Sequence, residues 1–384
     1  MITVSRPRSG LLQRAQEALQ QLWWRPPAEA NLGIRLILVP LSWLYRVLAA
    51  GHRLWARPAS PPRRPVPVAA SLNHQDKHSI HVLAPVPTVV VGNWVVGGAG
   101  KTPTTMALLA YLQGRGWTPG LVSRGYGRSG LTVQRVDPLV HTAQEVGDEP
   151  LLMARRSGVP VVVGRDRQRA REWLLHTAPE VDIVVSDDGL QHHRLWRDLE
   201  VVVVDERGAG NGWCLPAGPL REPLPQRLSA RTLVLYSSGS ATLELPGYRA
   251  QRQLCGLQRL QDWLQGRPCT TEGGWRELQG RSVHAAAGIA VPERFFAALR
   301  QQGLSLAHTH ALPDHDAWDS VPWPAHAGDV VVTEKDAVKL AASHAAHFGT
   351  RVWVARLDLV LPTDFIADLD RRLQALRPPH SATV

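Results

Sequence analysis

The chain has 384 residues with 44% hydrophobic content, enough for two domains of ordinary size and too apolar for wholesale disorder. Its three cysteines, Cys214, Cys255 and Cys269, form no CxxC pair, which argues against a disulfide framework or a zinc site and points to a reducing compartment. The net charge is +10, and residues 1–68 hold +8 of it, as ten arginines against Glu17 and Glu29.

The first predicted element spans the uncharged run LILVPLSWLY at 36–45, bracketed by Arg35 and Arg46. Crossing a bilayer takes about 20 apolar residues, so this run is too short to span. Glutamates precede it, and Ala49-Ala50-Gly51 is a loose cleavage site, so a signal peptide fits poorly. Arg46 and Arg53 follow Arg35 by 11 and 18 residues, which places all three on one helical face with Ser42. Ile37, Leu41, Leu44, Leu48 and Trp55 fall on the opposite face, and Pro40 is a point for a kink. Trp23, Trp24, Trp43, Tyr45 and Trp55 are available as interfacial aromatics. The pattern predicts a helix lying in a membrane surface, with arginines toward lipid phosphates. The competing expectation is an amphipathic helix packed on the protein body.

Residues 58–67, PASPPRRPVP, are expected to be an extended linker. Residues 71–84 are polar and histidine-rich, and the loose spacing of His74, Asp76, His78 and His81 favours a surface insertion over a metal site.

Thr88-Val89-Val90-Val91 then reads as a buried parallel strand. It runs into Gly92-Asn93-Trp94-Val95-Val96-Gly97-Gly98-Ala99-Gly100-Lys101-Thr102 and a helical pattern of Met106, Leu108, Leu109 and Leu112. Strand, glycine-rich loop, Lys-Thr and helix together form a phosphate-binding context. Gly97, Gly98, Ala99 and Gly100 turn backbone N–H groups toward phosphate, Lys101 reaches the outer phosphates, and Thr102 ligates Mg²⁺. Val95 stands where the standard pattern has glycine. The GGxGKT form also occurs in partitioning-type ATPases, but their second lysine is replaced here by Val96.

Residues 182–188 form an apolar strand ending in Asp187 and Asp188, the expected position for Mg²⁺-binding carboxylates. Gly189 permits the turn that lets adjacent carboxylates share one region. Val201–Val204 predicts a further buried strand ending at Asp205.

Seven motifs lie in order: VGNWVVGGAGKTP at 91–103, SRGYG at 123–127, VGDEP at 146–150, GRDR at 164–167, DDGLQHHRL at 187–195, LPAGPLREP at 215–223 and TEKDAVKL at 333–340. Together they resemble the tetraacyldisaccharide 4′-kinase family of lipid A synthesis. The resemblance implies two α/β domains with the active site in the cleft between them. It implies transfer of the γ-phosphate of ATP, with Mg²⁺, to the 4′-hydroxyl of a tetraacylated glucosamine disaccharide 1-phosphate, at the cytoplasmic face of the bacterial inner membrane. It also implies that Asp148 is a catalytic carboxylate paired with a histidine matching His315, in PDHDAW at 313–318. A carboxylate beside an imidazole orients it and suits it to proton abstraction near neutral pH.

Arg124, Arg167 and Arg221 are candidates to hold phosphate charge, with structural ion pairing as the alternative and Arg165 competing with Arg167. Glu149 and Gln191 join the candidate substrate or phosphate set, and His192 follows the acidic pair. Which aspartate meets Mg²⁺ first, and what TEKD does, are open at this level. The expected fold class is a P-loop α/β parallel sheet domain with a second, smaller α/β domain and an N-terminal membrane-surface helix. The expected boundaries are 1–57 for the amphipathic segment, 58–87 for linker and insertion, 88–205 for the P-loop domain, 206–345 for the second α/β domain, and 346–384 for a C-terminal segment returning to the P-loop domain. An anionic membrane surface and the lipid acceptor are the expected partners, nucleic acid is not, and the expected state is a monomer. The rival classes are a regulatory P-loop ATPase and a nucleic-acid binder. The missing second lysine counts against the first, and the tryptophan-rich apolar N-terminus against the other.

Overall fold

The computed structural model describes residues 19, 21–24, 32–56, 63–67, 81–269, 272–314, 316–340 and 350–376. His315 and the histidine-rich residues 71–80 therefore lie outside the described residues.

Helix α1 (Leu32–Trp55) runs on through Pro40. Ser42 is fully buried and donates to the Cys214 carbonyl, while Leu36, Ile37, Leu44, Leu48 and Trp55 are exposed. The two faces are those expected from helical phase, but the polar one docks on the body and the apolar one points outward. The expectation that the arginines face lipid is corrected for Arg53, which reaches inward to Glu222. Trp24 and Tyr45 likewise pack against the body, and Trp23 donates to the Pro216 carbonyl, leaving Trp43 and Trp55 as exposed aromatics. Strands β1 (Arg63–Pro67) and β2 (His81–Pro85) pair antiparallel, so the described part of the expected extended linker, 63–67, is one strand of a ribbon. A two-stranded ribbon tolerates these prolines because each strand keeps an unpaired edge.

The first sheet is built in chain order from β3 (Thr88–Gly92), helix α2 (Lys101–Gly114), β4 (Pro119–Ser123), β5 (Gln134–Arg135), α3 (Ala143–Val146), α4 (Asp148–Ser157), β6 (Val161–Val163), α5 (Arg167–Thr177), β7 (Ile183–Asp187), β8 (Leu199–Val204), β9 (Thr232–Tyr236) and β10 (Tyr248–Arg249). Among the described residues it has eight strands in the order β10-β9-β8-β3-β7-β4-β6-β5, parallel except at the β5 edge. The unbroken valine runs have a direct cause. Val89, Val161, Val163, Ile183, Val185, Val201 and Val203 face one layer, while Val162, Val184, Val202 and Val204 face the other. Both faces are covered, so both phases of each strand must be apolar.

The second sheet follows with β11 (Gln251–Arg259), α6 (Leu260–Leu264), α7 (Gly273–Leu278), β12 (Ser282–Ala287), α8 (Pro292–Gln301), β13 (Ser305–Ala311), β14 (Asp329–Thr333), α9 (Glu334–Leu340) and β15 (Arg351–Val360). Its order is β11-β15-β14-β12-β13, with β11 antiparallel to β15 and the other pairs parallel. The boundary expected at 206 is thus displaced. β9 and β10 belong to the first sheet, and β15, expected outside the second domain, sits inside its sheet. Helix α10 (Thr363–Leu376) then lies on the first domain, with Phe365, Leu369 and Leu373 packed in one cluster with Leu108, Leu109 and Leu112 of α2. Asp370 accepts from Tyr111 at 2.7 Å and pairs with Arg115 at 2.5 Å, and Asp368 accepts from Tyr248 at 2.7 Å.

Candidate active site

The site gathers at the carboxyl ends of β3, β4 and β7, where strand order reverses around β3 and open α/β sheets leave a crevice. The loop from Asn93 to Gly100 enters α2 with Gly97 and Gly100 at φ +92° and +91°, left-handed values that favour glycine. Ala99 is buried, and its carbonyl accepts from Ser237 at 2.9 Å. Gly97 and Gly98 are exposed, and a Cβ on Gly98 would meet nothing inside the protein. The fold itself therefore does not require glycine at 98, which is the pattern left when a ligand approaches the backbone closely. Val95, the departure from the usual loop, is buried against Trp94, Leu190 and Leu220 and makes a bridge to Leu220.

Lys101 Nζ lies 3.2 Å from Asn93 Oδ1 and 3.7 Å from Asp188 Oδ1. Thr102 is half-buried in the first turn of α2. Asp187 is buried and accepts from Thr105 Oγ1 at 3.0 Å. Burial first, then the charges of Glu149 and Asp188, push its carboxyl above the ordinary range. Asp188 adopts φ +47°, so the reversal falls on the aspartate itself and not only on Gly189. Burial would raise Asp188 too, but Lys101, Arg221 and Arg167 outweigh it and hold the carboxyl below its usual value.

Arg221 donates to Asp188 Oδ1 at 2.8 Å and to Gln191 Oε1 at 3.1 Å. Gln191 Nε2 donates to the Asn93 carbonyl and to Glu222 Oε1, both at 3.1 Å. Arg167 is buried at the start of α5, donates to the Asp188 carbonyl at 3.1 Å, and is drawn down to about 10, chiefly by burial. The competing Arg165 is exposed. Arg124 is also exposed, and its charge acts on Arg167.

A second cluster forms where α4 of the first domain meets α9 of the second. Asp148 opens α4 and Glu149 follows it. Lys335 Nζ lies 4.0 Å from Asp148, 3.4 Å from Glu149 and 3.2 Å from Asp314, and Lys339 Nζ lies 3.6 Å from Asp148. Asp336 is buried, accepting from Gly288 N, Trp318 Nε1 and Thr333 Oγ1 at 3.1, 3.0 and 2.6 Å. These bonds tie α9 to the segment 313–318 that contains His315. TEKD thus has a visible place: Thr333 and Asp336 lock the helix start, Glu334 pairs with Arg156 at 2.9 Å, and Lys335 gathers three carboxylates. Among the described residues, no group of three or more His, Cys, Asp or Glu is arranged to hold a metal.

Residues 34–374 match the family described as Tetraacyldisaccharide-1-P 4'-kinase. The chain belongs to this family. The tetraacyldisaccharide 4'-kinase of Methylibium petroleiphilum is 55% identical over 295 residues, covering 76% of this chain and 82% of that protein. That of Delftia acidovorans is 44% identical over 369 residues, covering 92% and 98%. Among solved structures, the LpxK of Aquifex aeolicus in complex with ATP superposes with a TM-score of 0.69 at 23% identity, covering 89% of this chain and 99% of that one. This likeness shows that the fold is shared. Within the candidate site, sequence reasoning gave no role to Asn93, Glu222 and Lys339 and left that of Lys335 in TEKD open. Each stands in or beside a recognised motif, but side chains that act by contacting a distant segment leave no signature in spacing.

Proposed function

We propose that this chain transfers the γ-phosphate of ATP to the 4′-hydroxyl of tetraacyldisaccharide 1-phosphate in lipid A synthesis. The observation that carries the reading is the meeting of the P-loop lysine with Asp188, beside an Asp187 that feels the charge of Glu149, the neighbour of Asp148, in a chain of this family. Gly97, Gly98, Ala99, Gly100 and Lys101 hold the nucleotide phosphates. Thr102, Asp187 and Asp188 would supply hard oxygen donors of the kind that suit Mg²⁺. When bound, that ion offsets phosphate charge against an incoming hydroxyl.

Asp148 is the catalytic carboxylate, acting with His315 to draw the proton from the sugar hydroxyl. Lys335 and Lys339 orient it. Arg167 and Arg221 hold transferring phosphate charge, while Arg124, Glu149 and Gln191 grip and align substrate. The exposed apolar face of α1 supports peripheral docking on an anionic membrane surface, at the cytoplasmic face of the inner membrane, and the protein acts as a monomer without nucleic acid.

The test is a γ-phosphate transfer assay with lipid A disaccharide 1-phosphate in detergent, with and without Mg²⁺. Lys101→Ala and Asp148→Ala are each expected to reduce kcat by about 100-fold or more while remaining folded, as read by circular dichroism. Near-parental turnover in either variant would refute the role given to that residue.

A further inference from the structure

The α1 face that meets the body touches the residues that hold the acidic pair. Arg53 Nη2 pairs with Glu222 Oε2 at 2.5 Å. Glu222 accepts from Gln191, Gln191 accepts from Arg221, and Arg221 donates to Asp188. Tyr45 Oη donates at 2.7 Å to the carbonyl of Arg221 itself, and Ser42 donates at 2.8 Å to the Cys214 carbonyl at the start of the same loop. The His52 ring lies 6.1 Å from that of His193, two residues beyond Gln191. One face of the outer helix thus grips both segments, 187–193 and 214–222, that meet at Asp188.

We infer that Arg53 and Tyr45 are positioning residues for phosphoryl transfer, acting through Glu222, Gln191 and Arg221 to fix the arrangement around Asp188, so that the seating of α1 sets the turnover rate. This rests on the kinase reading above. The physical argument is geometric. Arg221 reaches Asp188 and Gln191 through one guanidinium nitrogen, so a shift of its backbone moves both contacts. Misplacement by about 1 Å at a transfer site costs up to 100-fold in rate. An anchor serving only to hold α1 on a membrane would need its apolar face alone, and Arg53 and Tyr45 lie on the other face.

The test uses the full-length chain in detergent, where membrane attachment does not limit access, with both substrates saturating. Arg53 is half exposed, and pairs of that kind add little stability, so Arg53→Ala is expected to melt like the parent. It is expected to lower kcat about fivefold, with Tyr45→Phe lowering it about twofold and Arg53→Lys restoring most of the loss. Glu222→Gln is expected to add nothing further to Arg53→Ala, because one path is already cut. Vesicle sedimentation of Arg53→Ala is expected to match the parent. A kcat for Arg53→Ala equal to the parent's, or a loss that follows vesicle binding or melting temperature and that Lys does not restore, would overturn the inference. Absence of transfer by the parent itself would instead overturn the kinase reading.

Discussion

Lys335 brings three carboxylates from two segments to one ammonium, and Lys339 lies beside the same cluster. Removing the cation leaves Asp148, Glu149 and Asp314 crowded, and breaking such a largely buried arrangement costs about 3 kcal/mol. Lys335→Ala is expected to lose about that much in urea unfolding and most of its kcat, with Lys335→Arg recovering stability better than rate. His192 and His193 make a second residue-scale case. Burial first, with Arg167 acting on His192 and Arg197 on His193, lowers each imidazole to about 4. His192 Nε2 is 3.4 Å from Asp166, outside hydrogen-bond alignment, so that carboxylate offsets burial only in part. Unfolded histidines take up protons as pH falls through about 6.5, and these do not until about 4, so stability is lost across that window. Because both rings are partly solvated, the loss is on the order of 1 kcal/mol each. Urea melts at pH 7 and pH 5 should show it, and the His192→Gln/His193→Gln double variant should show a flatter profile.

Helix α10 closes the chain over the first domain, although the strand before it belongs to the second. Phe365 is fully buried and meets Tyr248 edge-on, with ring centroids 5.5 Å apart. Phe365→Ala is expected to destabilise by about 3–4 kcal/mol in equilibrium unfolding, and a loss under 1 kcal/mol would show that α10 is not part of the cooperative unit. Other elements were legible without the fold. The runs at 88–91 and 201–204 read as strands because β-branched residues, chiefly valine, fill both faces, and the pattern of Leu108, Leu109 and Leu112 marks the buried side of α2. The assignment of β9, β10 and β15 to sheets was not legible. An apolar strand announces burial, but its neighbour is chosen by hydrogen-bonding register across distant segments.

For the whole molecule, the orientation of α1 has the widest consequence. Among the described residues, no helix is long and apolar enough to cross a membrane. Leu44 and Leu48 are 55% and 63% exposed on the outward face. Leu44→Glu with Leu48→Glu is expected to abolish co-sedimentation with anionic vesicles while leaving kcat in detergent and the melting temperature unchanged. Retained sedimentation would reject the membrane-facing role of that helix.

The sequence by itself determined the phosphate loop, the acidic strand end, the family resemblance and the two faces of α1, since each depends on the order and spacing of nearby residues. Tertiary structure alone decided which face of α1 turns outward, where the sheets divide, and what Lys335 does. Those outcomes depend on partners far away in the chain. Ser42 is buried because a carbonyl 172 residues later accepts its hydroxyl, and Lys335 matters because Asp148 and Glu149 arrive on a helix of the other domain. No local pattern encodes such meetings, because they arise only when separately folded elements compete to satisfy the same buried polar groups.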